Sequence, residues 1–122
     1  METNRELANV RVLVVEDEPL IAMSLADQLT KAGAVVVGPC STTVRAVAEL
    51  SEKDIDVAIV DYVLADNNSE DLQAALEERS VPFIVVTGYP RVLVRRNQRQ
   101  HVLSKPISPE TLTSTVRSLA GA

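Results

Sequence analysis

The chain has 122 residues, of which 46% are hydrophobic and 24% charged, a composition typical of one folded globular domain. Its formal net charge of −5 and its three aromatic residues disfavour nucleic-acid binding, which needs excess positive charge and rings that stack on bases. The single Cys40 excludes an internal disulfide and a cysteine-rich metal site. No long uncharged apolar stretch or signal-peptide pattern is present, so we expect a cytoplasmic chain without a membrane segment.

Five short apolar runs, rich in β-branched residues and without strict polar alternation, predict strands buried on both faces of a parallel sheet. They are Val10–Val15, Val35–Val37, Val57–Val60, Phe83–Val86 and Val102–Leu103. Residues 1–9 before them have the pattern of a loose N-terminal tail, which leaves 10–122 for the domain.

Amphipathic patterns between these runs predict five helices. The predicted buried faces are Ile21, Leu25, Gln28–Leu29 and Ala32 in the first; Val44 and Val47–Ala48 in the second; Leu72 and Ala75–Leu76 in the third; and Leu112, Val116 and Leu119 in the fifth, while Arg91–Gln98 is a weak fourth helix. Alternating strands and helices with right-handed crossovers predict an open α/β sheet that is doubly wound, with helices on both faces.

Polar residues follow four of the predicted strands: Glu16 and Asp17, Asp61, Thr87, and Lys105. In doubly wound sheets, ligands bind at the carboxyl ends of the strands, so these side chains are expected to converge on one edge. Solvated loop acids at helix starts are the alternative, but this role does not explain why the acids recur at the predicted ligand edge.

Three neighbouring carboxylates repel one another unless a cation neutralises them. Mg²⁺ suits this set because it prefers oxygen ligands, whereas zinc is disfavoured by the near absence of Cys and His. Asp61 could then act as a nucleophile toward phosphorus and form an acyl phosphate, while Mg²⁺, a lysine and a threonine hold the equatorial oxygens.

The four segments around these residues, Val-Val-Glu16-Asp17-Glu-Pro, Ile-Val-Asp61-Tyr-Val-Leu64, Val-Val-Thr87-Gly and Leu-Ser-Lys105-Pro106, resemble the receiver domain of bacterial two-component response regulators. The resemblance implies a flavodoxin-like sheet of five parallel strands in the order 2-1-3-4-5, with a short or irregular fourth helix. It implies roles for individual residues: Asp61 as phosphoacceptor, Asp17 as a direct Mg²⁺ ligand, Glu16 as a ligand through water, the backbone carbonyl of Val63 as a third contact, Thr87 and Lys105 as ligands of the phosphoryl oxygens, and Lys105–Pro106 as a candidate cis bond.

The chain departs from the usual receiver pattern at several positions. Ala65 and Ser69 stand where receivers usually carry proline and glycine, and Val102 stands where they usually carry a switch aromatic. The stretch Thr87-Gly88-Tyr89 is similar to a bacterial stress-response subgroup of receivers, and in it Tyr89 could replace the missing aromatic. These three residues are therefore our switch candidates.

The resemblance implies a signalling switch. Asp61 would accept a phosphoryl group from a histidine kinase or phosphotransfer protein, and the surface of strand 4, helix 4 and strand 5 would then change its binding to a downstream protein. Such a chain has no separate substrate and would not be called an enzyme. A receiver that works as a phosphorylation-independent interaction module is the alternative, which the departures favour modestly.

Other functional interpretations fit the residues less well. A phosphohydrolase of the haloacid-dehalogenase type needs a second aspartate two residues after the nucleophile, where Val63 stands, and a nucleotide-binding enzyme needs a glycine-rich loop after the first strand. The cluster of Arg91, Arg95, Arg96 and Arg99 is more often a solvated face than a docking surface, and His101 and Cys40 are interpreted as structural.

Overall fold

The computed structural model describes residues 5–62, 64, 69–88, 100–104 and 107–121. Strands and helices follow each other in chain order as β1 (Arg11–Val15), α1 (Pro19–Lys31), β2 (Val35–Cys40), α2 (Thr43–Glu52), β3 (Val57–Asp61), α3 (Glu70–Glu78), β4 (Phe83–Thr87), β5 (Gln100–Ser104) and α4 (Pro109–Leu119). The predicted fourth helix, Arg91–Gln98, lies outside the described residues, so α4 corresponds to the predicted fifth helix.

The strands form one five-stranded sheet in the order β2-β1-β3-β4-β5, and every neighbouring pair is parallel. The predicted doubly wound α/β fold and its strand order are therefore confirmed. None of the helices in the described ranges is long and apolar enough to cross a membrane.

The two faces of the sheet carry separate apolar clusters. One cluster packs α2 and α3 against the sheet and includes Phe83 from β4. The other packs α1 and α4 against the opposite face and includes Ile84, the next residue of the same strand. Phe83 and Ile84 are both fully buried, because successive side chains of a strand point to opposite faces and helices cover both.

Helix α2 buries a different face from the predicted one. Val44 is 73% exposed and Val47 37% exposed, whereas Ala46 and Leu50 are buried. The helix carries apolar residues on two stripes, so periodicity alone does not choose between them. The inward stripe is the one with Leu50, the largest apolar side chain of the helix, because burying more apolar area is more favourable.

The first residues of the described chain are packed onto the domain. Leu7 is fully buried in the α1/α4 cluster, and its N–H donates to the Ala32 carbonyl at 2.8 Å. Gly33 adopts a φ of +98° beneath this segment, and a Cβ there would lie 3.3 Å from the Ala8 backbone. The prediction of a loose tail is therefore wrong for residues 5–9, while residues 1–4 lie outside the described part.

Candidate functional site

The three predicted carboxylates come together at the carboxyl edge of the sheet. Glu16 and Asp17 follow β1, and Asp61 is the last residue of the neighbouring β3, where Val60 is paired with Val15. One carboxylate oxygen from each of the three residues lies within 4.8 Å of the others. The predicted convergence of these acids is therefore present in the structure.

The backbone of β2 helps to place Glu16. The Glu16 N–H donates to the Cys40 carbonyl at 2.8 Å, across a register shift between β1 and β2. Gly38 makes this approach possible: its φ is +97°, and a Cβ there would lie 2.9 Å from the Val14 carbonyl oxygen. The Glu16 side chain in turn accepts the Glu18 N–H at 3.1 Å, so a buried carboxylate is held at the start of α1.

Thr87 lies at the same edge. It ends β4, one residue beyond Val86, which is the register partner of Asp61. Thr87 is 3% exposed and Asp61 8% exposed, so both functional groups lie at the edge of the core. Gly88 follows as an exposed residue around which a Cβ would meet no atom within 4 Å. Val63, Tyr89, Lys105 and Pro106, and with them the cis-bond prediction, lie outside the described residues.

The donor set fits a hard divalent cation. All three groups are carboxylates, and two of them are largely withdrawn from water, where like charges repel most strongly. Mg²⁺ takes one or two carboxylates and completes its shell with water and phosphate oxygens. Asp17 and Asp61 would hold such an ion directly, and Glu16 would support it.

A second feature of this edge was not predicted. An apolar groove of about 310 Å³ runs beside the start of α1. Its lining consists of Leu20, Ile21, Ser24, Leu25, Gln28, Val86 and Ile107. The periodicity of α1 predicts a helix face that includes Ile21 and Gln28, but Ile21 is 37% exposed and Ala22 is buried in its place.

One polar atom of the groove is unusual. The Gln28 amide nitrogen donates to the Ser24 hydroxyl oxygen at 3.1 Å, while the Gln28 Oε1 atom is buried and has no hydrogen-bond partner in the part of the chain that the structure describes. Leu20 nearby is 76% exposed, although it is a large apolar residue. The groove thus has a mainly apolar lining, with an exposed leucine beside it and a buried polar atom behind it.

The remaining residues singled out from the sequence are structural or undescribed. Cys40 is buried, and desolvation, followed by the neighbouring Glu49, raises the pKa of its thiol above 9.0, which keeps the thiol protonated at neutral pH. Val102 is half-buried in β5 and packs against the α2/α3 cluster. The side chain of His101 and the four arginines between residues 91 and 99 lie outside the described residues.

Comparison with known proteins identifies relatives along most of the chain. The phyllosphere-induced regulator PhyR of Methylorubrum extorquens is 32% identical over 123 residues, which cover 94% of this chain and 46% of that protein. The chain spans about half the length of the curated relatives it matches.

Solved structures give the same result. The crystal structure of the anti-anti-sigma factor PhyR from Bartonella quintana is 31% identical with a TM-score of 0.77, covering 92% of this chain and 47% of that one. The receiver domain of the sensor histidine kinase PA1611 from Pseudomonas aeruginosa PAO1, with a magnesium ion coordinated in its active-site cleft, shares the fold with a TM-score of 0.82 at 22% identity, covering 94% of this chain and 100% of that one. The response regulator receiver domain family matches residues 12–117. The chain therefore belongs to the response regulator receiver domains of two-component systems.

Proposed function

We propose that this chain is a Mg²⁺-dependent phosphorylation switch, with Asp61 as the residue that accepts the phosphoryl group. The observation that carries the proposal is the cluster of Glu16, Asp17 and Asp61 at the carboxyl edge of the sheet. Solvated loop acids would have no reason to gather within 4.8 Å of one another. We place the chain in the cytoplasm, where its phosphodonor would be a histidine kinase or a histidine phosphotransfer protein.

The transfer step follows from the chemistry of the two reacting groups. An Asp61 carboxylate oxygen attacks the phosphorus of a phosphohistidine, and a P–O bond forms as the P–N bond breaks. The imidazole nitrogen keeps the electron pair and takes up a proton. Mg²⁺, when bound, supplies positive charge at the phosphoryl oxygens. Thr87 and, by the family resemblance, Lys105 bind those oxygens. The chain thus assists its own modification and has no separate substrate to turn over.

The groove beside α1 is the proposed docking surface for the phosphodonor protein. Val86 lines the groove and is also the strand-register partner of Asp61. A partner that places its histidine at Asp61 therefore also covers the groove. An aspartate in place of Leu20 puts a charge on this apolar surface, and we expect it to slow labelling by a phosphotransfer protein. Labelling by acetyl phosphate, which needs no docking surface, should not change.

Val44→Asp provides a matched control for that experiment. Val44 is exposed like Leu20 (73% against 76%) but lies on α2, away from the groove. We expect Val44→Asp to be labelled at the wild-type rate by both the phosphotransfer protein and acetyl phosphate. Equal slowing by Leu20→Asp and Val44→Asp, or a loss with acetyl phosphate as well, would remove the groove from the donor interface.

For the output, we propose that phosphorylation acts through Thr87, Gly88 and Tyr89 on the surface of β4, the predicted fourth helix (Arg91–Gln98) and β5. Since one relative is an anti-anti-sigma factor, we propose a stress-response pathway in which this surface changes the binding of a regulatory protein. Tyr89→Ala should then uncouple partner binding from phosphorylation without preventing labelling. Partner affinity that still responds fully in this variant would place the switch elsewhere.

Labelling with acetyl phosphate, with and without Mg²⁺, tests the central proposal. Wild-type protein should gain an acid-labile phosphoryl group only with Mg²⁺, and Asp61→Asn should gain none. The variant is nearly isosteric and removes only the nucleophile and one negative charge. Undiminished labelling of Asp61→Asn would show that another residue accepts the phosphoryl group. An unlabelled wild type would favour the alternative, a receiver that works as a phosphorylation-independent interaction module.

A further inference from the structure

The main chain directly after Asp61 is held from two sides. The Tyr62 N–H donates to the Val86 carbonyl of β4 at 3.0 Å. The Tyr62 carbonyl accepts the N–H of Ser69, at the start of α3, at 2.9 Å. The first bond belongs to the sheet and cannot easily change. The second depends on the orientation of the first turn of α3, and therefore on what fixes Ser69.

The Ser69 side chain makes an unexpected bond. Ser69 is the N-cap residue of α3, where a serine hydroxyl usually accepts a backbone N–H of the first turn, but this hydroxyl caps nothing. Instead it accepts a hydrogen bond from the Gln73 side-chain nitrogen at 3.0 Å. Both side chains are fully buried, beside apolar α3 residues such as Leu72 and Leu76. The helix start relies on Glu70 and Asp71 to complement its dipole.

Stability alone does not explain this pair. A buried hydroxyl and a buried amide gain little over apolar side chains of the same shape, because each must replace its hydrogen bonds to water. The pair also uses the hydroxyl that would otherwise cap the helix. What it does provide is direction, since a side-chain hydrogen bond between residues 69 and 73 fixes the rotation of the first helical turn. Ser69 has a φ of −87°, so the glycine that receivers usually carry there is not required by this backbone.

We propose that Ser69 and Gln73 are positioning residues for the phosphoacceptor. Their hydrogen bond holds the first turn of α3 so that the Ser69 N–H stays on the Tyr62 carbonyl, and this fixes the peptide that follows Asp61. The Asp61 carboxylate is thereby kept in the cluster with Glu16 and Asp17 before any cation or donor arrives. The inference rests on the proposed role of Asp61 and assigns this chain its own means of preorganising it.

The double variant Ser69→Ala/Gln73→Met tests the proposal, because it removes both polar side chains of the pair together, so that neither is left buried without the other. We expect roughly 10-fold weaker Mg²⁺ binding, the size of effect seen when groups that orient metal ligands are removed, and correspondingly slower labelling by acetyl phosphate. Mg²⁺ affinity is measured by calorimetry on the unphosphorylated full chain. Ser69→Ala, which removes the hydroxyl alone, should weaken Mg²⁺ binding in the same direction and serves if the double variant does not fold.

Leu50→Ala is the control for a general loss of stability. Leu50 belongs to the α2/α3 apolar cluster but lies in α2, whereas the three acids follow β1 or end β3. It should unfold more easily yet bind Mg²⁺ and accept phosphate like the wild type. Unchanged Mg²⁺ affinity in the double variant, or an equal drop in Leu50→Ala, would overturn the inference. Because the titration needs no phosphodonor, it decides this point even if wild-type protein cannot be labelled, an outcome that would count against the proposed function alone.

Discussion

Helix α1 and the N-terminus of α3 each have a serine and a glutamine four residues apart, joined by the same side-chain hydrogen bond, but in opposite surroundings. The Ser24–Gln28 pair of α1 lies at an open groove, and its Oε1 atom is buried without a partner among the described residues. The Ser69–Gln73 pair of α3 is fully buried. Identical local chemistry therefore serves an open surface on one face of the sheet and a closed, directional contact on the other.

The two pairs show how one fold combines a fixed phosphoacceptor main chain with an accessible apolar surface. Asp17 precedes α1 and Asp61 precedes α3, so the two helices start on either side of the acidic cluster. The α3 side fixes the acceptor main chain, whereas the α1 side leaves apolar area uncovered. Four predictions test this division, beginning with the largest expected effect.

Leu7 packs beside the C-terminal end of α1 and closes that end of the α1/α4 cluster. We expect Leu7→Ala to lower the free energy of unfolding by about 2–5 kcal/mol, because it empties a fully buried site. Leu20→Ala, at the open groove beside the start of α1, should change the free energy of unfolding by less than about 0.5 kcal/mol, since this side chain is 76% exposed. Urea denaturation measures both. Similar values for the two variants would contradict the division of this face into a closed and an open end.

The two helices meet at the cation site, which gives the second prediction. Mg²⁺ at 100 times its Kd should stabilise wild-type protein by about 2.7 kcal/mol, and Asp17→Asn should lose most of this gain. Without Mg²⁺ the variant should be at least as stable as the wild type, since one like-charge repulsion is gone. Thermal denaturation with and without Mg²⁺ measures both effects. Asp27→Asn, at an exposed acid paired with Lys31, is the control, and an unchanged Mg²⁺ response in Asp17→Asn would exclude Asp17 from the site.

The third prediction concerns the two serine–glutamine pairs: removing the glutamine should change the free energy of unfolding in opposite directions at the two sites. Gln73→Met leaves the buried Ser69 hydroxyl without its donor and should destabilise the protein by about 1–3 kcal/mol. Gln28→Met removes a buried acceptor that has no donor in the described structure and should stabilise it by up to about 1 kcal/mol. Chemical denaturation of the two variants side by side decides the matter. Destabilisation of equal size at both sites would mean that their surroundings do not matter.

The smallest effect concerns Tyr62, the residue after Asp61, whose hydroxyl donates to Glu70 Oε2 at 3.4 Å. Partial desolvation, followed by the Glu70 carboxylate and this hydrogen bond, raises the pKa of Tyr62 above 10.0. A raised pKa means that the folded state favours the neutral phenol. The resulting stability is fully present below pH 10.0 and is lost as the pH rises through the folded-state pKa.

Absorbance at 295 nm measures this titration in a Tyr89→Phe background, where Tyr62 is the single remaining tyrosine. Glu70→Gln should lower the Tyr62 pKa but leave it above 10.0, because burial contributes more than the neighbouring charge. A midpoint at 10.0 in the folded protein would show that the phenol is neither desolvated nor bonded to Glu70.

The strands and the acidic cluster were predictable from the sequence. Runs such as Val57–Val60 have the apolar, β-branched character that only a doubly covered strand needs. Once the strands are parallel, Asp17 and Asp61 must lie at the same edge, whatever the details of packing. The strand order, which the resemblance to receiver domains implied, and the family that the four motifs indicated agree with the structure and the comparisons.

Tertiary structure alone decided which residues cover these strands. In α2 two apolar stripes compete, and the space beside the sheet selected Ala46 and Leu50 over Val44. Leu7 lies in a segment with no periodicity, and its burial depends on Gly33, which is remote in sequence. The two serine–glutamine pairs have the same spacing, so no local pattern distinguishes the buried pair from the one at the groove. Local periodicity and the polar residues at strand ends can be recognised from the sequence alone. The depth at which a side chain is buried depends instead on contacts between segments far apart in the chain.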